Sequence, residues 1–279
     1  MIGQNESRQN TIIDRCLDGE KKLVKALKLI ALLLFLPIVL HAAADLPPGS
    51  CAAPQAATDL SQCDFSRKKL AGKDLHGARL AGAKLESTDF RNANLTGADL
   101  RGSNAKWANF TAANLAGADL READLFHATF DDGDLSGATL IGANLFGSNL
   151  IGTKAPLADF SGAYLKDVLM EGIDLSGGSI RGCYAFRGVF SGAKLIGVDL
   201  SGADLTGAAM ENVDFTNAKL KETRLKGATL RQAIFFKADM QGADLANADV
   251  WNASFDQALN RTDSVQEALV EPFVARERR

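Results

Sequence analysis

Residues 91–120 read RNANLTGADLRGSNAKWANFTAANLAGADL, and this stretch decides the fold. Every fifth residue in it is apolar: Leu95, Leu100, Ala105, Phe110, Leu115 and Leu120. The same register runs outward without a slip from Leu60 to Phe255, which gives forty apolar positions that we call the repeat centres. The residue two before a centre is usually small, the residue before it is often Asp or Asn, and the second residue after it is often Gly.

A period of five residues fits neither an α-helix nor a β-strand. On a helix five residues turn by about 500°, so the centres would spiral around the axis and form no stripe. On a strand every fifth residue points alternately to opposite faces. The chain must therefore turn a corner every five residues, and Gly after the centre suits such corners. A short period sustained over this length predicts a solenoid.

The units AGADL, TGADL, SGADL and IGANL resemble the pentapeptide-repeat family, whose motif is A(D/N)LXX. The resemblance covers residues from about 56 to 259. It implies an all-β fold, a right-handed quadrilateral β-helix with four pentapeptides in each coil. It also implies that the centre and the residue two before it point inward, while the other three residues of each repeat face outward.

The aromatic centres support four repeats per coil independently of the resemblance. Two groups of them follow at intervals of 20 residues: Phe90, Phe110 and Phe130, and Phe215, Phe235 and Phe255. Coils of 20 residues stacked on one another would bring these rings into ladders. Forty centres then predict about ten coils, a rod about 48 Å long at about 4.8 Å per coil.

Residues 1–44 have the order expected of a secretory signal peptide. Lysines up to Lys28 precede an apolar run from Leu29 to Leu40, and Ala42 and Ala44 occupy the positions that a signal peptidase reads. We expect the mature protein to begin near Asp45 and to be exported to the bacterial periplasm. The alternative is an uncleaved inner-membrane anchor, although the apolar run is shorter than the about 20 residues of a spanning helix.

The remaining chain divides into a lead-in at 45–55, the β-helix at 56–259, and a C-terminal cap and tail at 260–279. Both ends of a solenoid expose sheet edges that need covering. Ser264 with Glu267 has the spacing of a capping box and predicts a short capping helix near 264–270.

Two features of the first coil bear on its N-terminal end. Cys51 and Cys63 allow a disulfide in an exported protein, while two unpaired thiols are the alternative that the sequence leaves open. Lys68 and Lys73 fall on inward positions, and a buried unpaired lysine is costly. We therefore expect the first coil to be open at its end, so that both ammonium groups reach water.

No pattern in the sequence predicts catalysis, a cofactor or a metal. The histidines have no partner at metal-ligand spacing. The acidic segment 131–134 lacks the bidentate Glu that completes a calcium loop. There is neither a P-loop nor a G-x-S-x-G motif, and the scattered glycines are repeat corners. We predict a protein that is not an enzyme and acts through its outer surface.

Sorting the outward residues by the 20-residue register gives one apolar group, which we call the aromatic surface. Its members are Phe126, Phe146, Tyr164, Tyr184, Phe186, Leu169 and Val189. An exposed contiguous apolar patch usually marks a contact site. The alternative interpretation is a ladder that only stiffens the rod.

The predicted function is a scaffold for protein–protein interaction in the cell envelope, with another protein or a second copy of the chain as its partner. A membrane would be contacted only through the N-terminal segment, if that segment is uncleaved. Nucleic acid is not predicted as a partner, because a net charge of −3 gives no basic balance. A purely structural spacer is a further alternative.

The resemblance implies another function, because some pentapeptide-repeat proteins mimic duplex DNA and bind gyrase or topoisomerase, giving quinolone resistance. Such a mimic needs a strongly acidic rod in the cytoplasm. From Asp45 onward the chain carries 30 acidic and 25 basic residues, a mild excess. Arg101 and Arg121 moreover share the face of Asp99 and Asp119, so we expect the charges there to cancel.

Overall fold

The structure is a computed structural model, and it describes residues 46–265 and residue 268. The chain divides into two units, Met1–Asp45 and Leu46–Arg279, and the description concerns the second. The predicted signal peptide, residues 1–44, lies outside the described residues. No helix in the described part of the chain has the length and apolar character needed to cross a membrane.

Parallel β-bridges join residues that lie 20 positions apart, so each coil contains four five-residue repeats. The bridges are isolated rather than parts of long strands, and they form four columns that we call the sides of the β-helix. Side 1 runs from Asp59 to Leu259, side 2 from Asp64 to Asp244, side 3 from Lys69 to Asp249 and side 4 from Asp74 to Ser254. The 20-residue period predicted from the phenylalanine spacing is therefore the period of the backbone.

A tight turn between successive sides forms each corner. At one of them the carbonyl of Leu95 accepts a hydrogen bond of 3.0 Å from the amide of Ala98, and Gly97 has φ +63°. A positive φ at the third residue of such a turn favours glycine, because a Cβ is crowded in the left-handed region. The same corner position nevertheless holds Trp107 at φ 59°.

The core is a continuous column inside the coils. From residue 78 to residue 250, every centre and every residue two before it is buried. Phe110 stacks between Phe90 and Phe130, with ring centroids 5.0 and 4.8 Å apart. The predicted inward positions and the predicted phenylalanine ladder are both present, because the coils stack in register.

The lead-in covers part of the N-terminal end. Pro48 forms a parallel bridge with Asp59, which adds the lead-in to side 1. Cys51 and Cys63 form a disulfide with their Cα atoms 5.4 Å apart, which resolves the choice that the sequence left open. Lys68 and Lys73 are exposed, as expected for a first coil that is open on its other sides.

At the C-terminal end two hydroxyl groups occupy the edge of side 2. The hydroxyls of Thr262 and Ser264 donate to the carbonyl of Ala243, at 2.7 and 3.0 Å, and the amide of Leu245 donates to Ser264 Oγ. A 3-10 helix spans Asp263–Val265. The predicted helix at 264–270 lies largely outside the described residues, as does its capping-box partner Glu267.

Candidate aromatic contact surface

The five aromatic side chains of the predicted surface form one ladder along the rod. Phe126, Phe146 and Phe186 lie at the corner between sides 2 and 3, while Tyr164 and Tyr184 bridge each other on side 2. Successive ring centroids are 5.4, 6.1, 5.4 and 6.2 Å apart, in the order of the chain. Phe126 and Phe146 occupy equivalent positions one coil apart, as do Tyr164 and Tyr184. The other two pairs join the first turn position to the position before the centre, and all four pairs are nearly parallel.

The two aliphatic members lie around the corner from the rings. Leu169 and Val189 bridge each other on side 3, and Val189 bridges Ala209 in the next coil. All three are partly exposed. The structure therefore adds a flat aliphatic strip beside the aromatic ladder.

Sequence reasoning missed two residues that extend the ladder towards the N-terminal end. Trp107, 53 % exposed, stacks on His127 at 4.4 Å and meets Phe126 edge-on at 5.4 Å. The imidazole rests against Gly147, where an added Cβ would approach His127 Cε1 to 2.5 Å. Trp107, His127 and Gly147 occupy the second turn position of successive coils, 20 residues apart. Sorting the residues at that position by the 20-residue period would therefore have identified them.

The stacking determines which chemistry the ladder offers. Neighbouring rings cover each other's faces, so ring edges and the tyrosine hydroxyls remain accessible, with Tyr164 and Tyr184 40 % and 38 % exposed. Ring edges carry partial positive charge and prefer the faces of other aromatic groups. The surface thus suits apolar and hydrogen-bonding protein contacts better than stacking of a planar ligand on a free ring face.

Cationic groups lie along the ladder. Lys166 Nζ is 5.7 Å from the ring centroid of Phe146, and the Arg187 guanidinium is 5.4 Å from that of Phe186. Arg187 also donates two hydrogen bonds, of 2.8 and 2.9 Å, to the carboxylate of Asp167. An apolar centre with a charged rim is the usual composition of a protein interface.

Side 1 carries six aspartates, and arginines of the adjacent corner pair with two of them. Arg101 donates to Asp99 at 2.7 Å, and Arg121 donates to Asp119 at 2.6 Å. The side-chain hydrogen bond from Arg101 holds the pKa of the Asp99 carboxyl below its usual range. The cancellation expected from the sequence is therefore made by direct contact.

The described residues show no arrangement that predicts catalysis. No group of three or more His, Cys, Asp or Glu among them is placed to hold a metal ion. His76 contacts Asp74 at 2.9 Å on an exposed corner. Cys183 is buried, and burial raises the pKa of its thiol to about 12, so the nucleophilic thiolate is disfavoured at neutral pH.

Comparison with known proteins identifies the family to which this architecture corresponds. The family model described as pentapeptide repeats, in eight copies, matches residues 58–97, 74–111, 106–142, 143–182, 189–221 and 214–252. Among solved structures, HetL, a pentapeptide repeat protein involved in heterocyst differentiation regulation in the cyanobacterium Nostoc sp. strain PCC 7120, shares 30 % identity. That match covers 69 % of this chain and 89 % of HetL, with a TM-score of 0.40.

Two further solved structures are similar. QnrB1, a plasmid-mediated fluoroquinolone resistance protein, shares 22 % identity over 64 % of this chain and 92 % of its own, with a TM-score of 0.37. A pentapeptide repeat protein from the Arabidopsis thaliana thylakoid lumen shares 26 % identity over 43 % and 67 %, with a TM-score of 0.20. No curated protein matches the chain. The family model covers well over half of the sequence in the register of the repeat centres, and the chain therefore belongs to the pentapeptide-repeat family.

Proposed function

We propose that the chain is a non-enzymatic scaffold of the cell envelope whose aromatic surface binds a protein partner or a second copy of the chain. The observation that carries the proposal is the continuous ladder from Trp107 to Phe186 on one corner of the rod. Such a surface is unusual on a monomeric soluble protein, where exposed apolar residues are scattered.

Three features favour a contact role over simple stiffening. The rod already has an internal ladder around Phe110, so an external one is not needed for stacking order. Within the described residues, neither the Tyr164 nor the Tyr184 hydroxyl takes part in a hydrogen bond, which leaves both to a partner. Tyrosine is also among the residues enriched at the energetic centres of interfaces.

The envelope location rests on the N-terminal sequence, with the disulfide as support. Residues 1–44 have the order of a signal peptide, and disulfides persist mainly in oxidising compartments. Cell fractionation with N-terminal sequencing tests this location. A product beginning near Asp45 in the exported fraction supports periplasmic export, and an intact chain in the membrane fraction supports the inner-membrane anchor. An intact chain in the cytoplasm contradicts both locations.

The DNA-mimic alternative is disfavoured by the pairing on side 1. A mimic of duplex DNA has to present regularly spaced free negative charge, as the phosphates do. Here three of the six aspartates of side 1, Asp59, Asp99 and Asp119, each contact an arginine within 3.1 Å. Inhibition of gyrase by the purified chain would reinstate this function.

The contact role is tested by replacing three members of the aromatic surface with serine: Tyr164→Ser, Tyr184→Ser and Phe186→Ser. The matched control replaces exposed apolar residues on side 4 and its corner with side 1: Leu157→Ser, Ile196→Ser and Ile234→Ser. Chemical cross-linking in cells detects a protein partner, and analytical ultracentrifugation of purified chain detects self-association. Each variant is first checked for folding by circular dichroism.

We expect the aromatic variant to lose its partner or its self-association by at least tenfold, since single buried interface aromatics often carry more than that. The control variant should retain both. Unchanged association of a folded aromatic variant, or an equal loss in the control, would show that the ladder only stiffens the rod.

A further inference from the structure

The N-terminal end of the β-helix concentrates unpaired positive charge. Arg67, Lys68, Lys69 and Lys73 all belong to the first coil and all are exposed. None of them forms an ion pair within 4.0 Å with another described residue. We call these four residues the basic end.

Two of the four cations occupy a position that elsewhere faces the core. Lys68 and Lys73 lie two residues before a centre, where every residue from Ala78 to Ala248 is small or apolar and buried. The backbone of the sides encloses that position laterally. Because both lysines are nevertheless exposed, their side chains leave the coil through its open end and carry their ammonium groups to the tip of the rod.

The N-terminal end also presents backbone donors. In the interior of the rod, the amide of each bridging residue donates to the coil below, as Asp89 does to the carbonyl of Lys68 at 2.9 Å. The equivalent amides of the first coil on sides 2, 3 and 4 belong to Asp64, Lys69 and Asp74, and no acceptor among residues 46–265 pairs with them. They therefore point out of the N-terminal end, where unpaired N–H groups attract anions.

The carboxylates around the basic end are engaged with cationic or polar side chains. Asp64 contacts Lys84 at 3.6 Å, and Asp89 contacts Arg91 at 2.7 Å. Asp74 contacts His76 and accepts from Asn94 of the second coil, both at 2.9 Å. Glu86, in the second coil, is the remaining carboxylate near this end. The first coil is left with four cations that form no ion pair within 4.0 Å in the described residues, and with three amide donors without an acceptor.

We propose that the basic end docks the rod, tip first, on the phosphate groups of an anionic phospholipid bilayer. Charge complementarity supports this occupant, because juxtamembrane lysines and arginines bind anionic lipid surfaces. If the N-terminal segment stays uncleaved, chain direction supports it as well, because the polypeptide enters the β-helix at this end and the apolar run Leu29–Leu40 closely precedes it in sequence. The rod would stand on the membrane and hold the aromatic surface above it.

The inference rests on the proposed function, because the envelope location supplies the membrane. The vesicle test does not depend on that location. Purified full-length chain is mixed with vesicles of phosphatidylcholine alone, or of phosphatidylcholine and phosphatidylglycerol in equal parts, and separated by flotation. The readout is the ratio of binding to anionic over neutral vesicles. Any contribution of the N-terminal apolar segment largely cancels in this ratio, because it is the same for all variants.

The test variant is Lys68→Gln, Lys69→Gln, Lys73→Gln, and the matched control is Lys219→Gln, Lys221→Gln, Lys226→Gln, which removes the same charge from exposed positions far along the rod. Each lysine near an anionic surface contributes roughly fivefold in affinity. We expect the test variant to lose on the order of a hundredfold of the anionic preference, and the control little. A Lys→Arg version at positions 68, 69 and 73 should restore the preference, and added salt should weaken it in the wild type.

Three results would overturn the inference. The first is equal binding of the wild type to both vesicle types, which gives a ratio of one. The second is a loss of anionic preference in the control variant as large as that in the test variant. The third is tighter binding to duplex DNA than to anionic vesicles at matched phosphate concentration, which would assign the basic end to a nucleic acid. A cytoplasmic chain that prefers anionic vesicles would contradict the proposed function and leave this inference standing. An exported scaffold without a preference for anionic vesicles would agree with the proposed function and overturn this inference.

Discussion

Two aromatic ladders run along the same rod, one inside it and one outside. The inner one joins Phe90, Phe110 and Phe130, fully buried, at 5.0 and 4.8 Å. The outer one joins Phe126 to Phe146 and Tyr164 to Tyr184, partly exposed, at 5.4 Å in both cases. Both arise from the 20-residue coil, because it places chemically similar residues above one another.

The difference between the ladders lies in what surrounds the rings. The inner rings are enclosed on all sides by the core, so their whole apolar surface is buried and contributes to the free energy of folding. The outer rings have the same stacking partners but keep their edges in water. The 20-residue coil therefore stacks aromatic rings both inside and outside the β-helix, and the exposed rings remain available for contact with another molecule.

The largest expected effect contrasts the two ladders directly. Phe110→Ala should lower the free energy of unfolding by about 3–5 kcal/mol, since it leaves a cavity between two stacked rings in a column that cannot collapse sideways. Phe126→Ala, of equal size change, should cost less, about 1–3 kcal/mol, because the partly exposed ring loses its stacking and only part of a full burial contribution. Urea denaturation of both variants measures this. Equal losses would mean that the outer ladder is structural.

An intermediate effect is expected at the corner that supports the outer ladder. Gly147→Ala places a Cβ against the His127 ring at φ +62°, whereas Gly137→Ala has φ +63° and nothing within 4 Å of the new Cβ. Both should lose about 1–2 kcal/mol through the left-handed backbone. Gly147→Ala should lose about 1 kcal/mol more, because His127 must leave its place between Trp107 and Phe146. Thermal unfolding of the pair isolates this packing, and identical values would contradict it.

The smallest expected effect separates the charged face from the aromatic one by pH. The pKa of Asp99 is lowered from 3.8 by its hydrogen bond from Arg101, so its contribution is fully present above the unfolded pKa and is lost as pH falls through the folded one. The stability advantage of wild type over Asp99→Asn should therefore shrink below about pH 4. The stability advantage of wild type over Phe126→Ala should stay constant over the same pH range, because no titrating group is removed. Denaturation curves at pH 6, 4 and 2.5 test both, and a constant Asp99 difference would contradict the pairing.

Sequence reasoning found five of the seven rings in the outer ladder and both aliphatic neighbours. It sorted the position before the centre and the first turn position by the coil period, which placed Tyr164 and Tyr184, and likewise Phe126 and Phe146, one coil apart on the same face. Trp107 and His127 were missed because they occupy the second turn position, which was not sorted by the coil period; glycine and other residues with positive φ are equally frequent there, and Trp107 has φ 59°. The basic end was only half visible, since the sequence predicted exposed amines at Lys68 and Lys73 but not the unpaired amides beside them.

The sequence by itself determined the five-residue period and, through phenylalanines 20 residues apart, the coil of 20, because stacked coils place such rings above one another. The inward positions were implied by the resemblance to the pentapeptide-repeat family. The tertiary structure alone decided which outward residues meet. The disulfide between Cys51 and Cys63, the Arg187–Asp167 pairing and the imidazole of His127 over Gly147 depend on side-chain directions at the corners and on how the lead-in folds back. Those contacts are set by distances between coils, and a repeat pattern along one chain does not contain them.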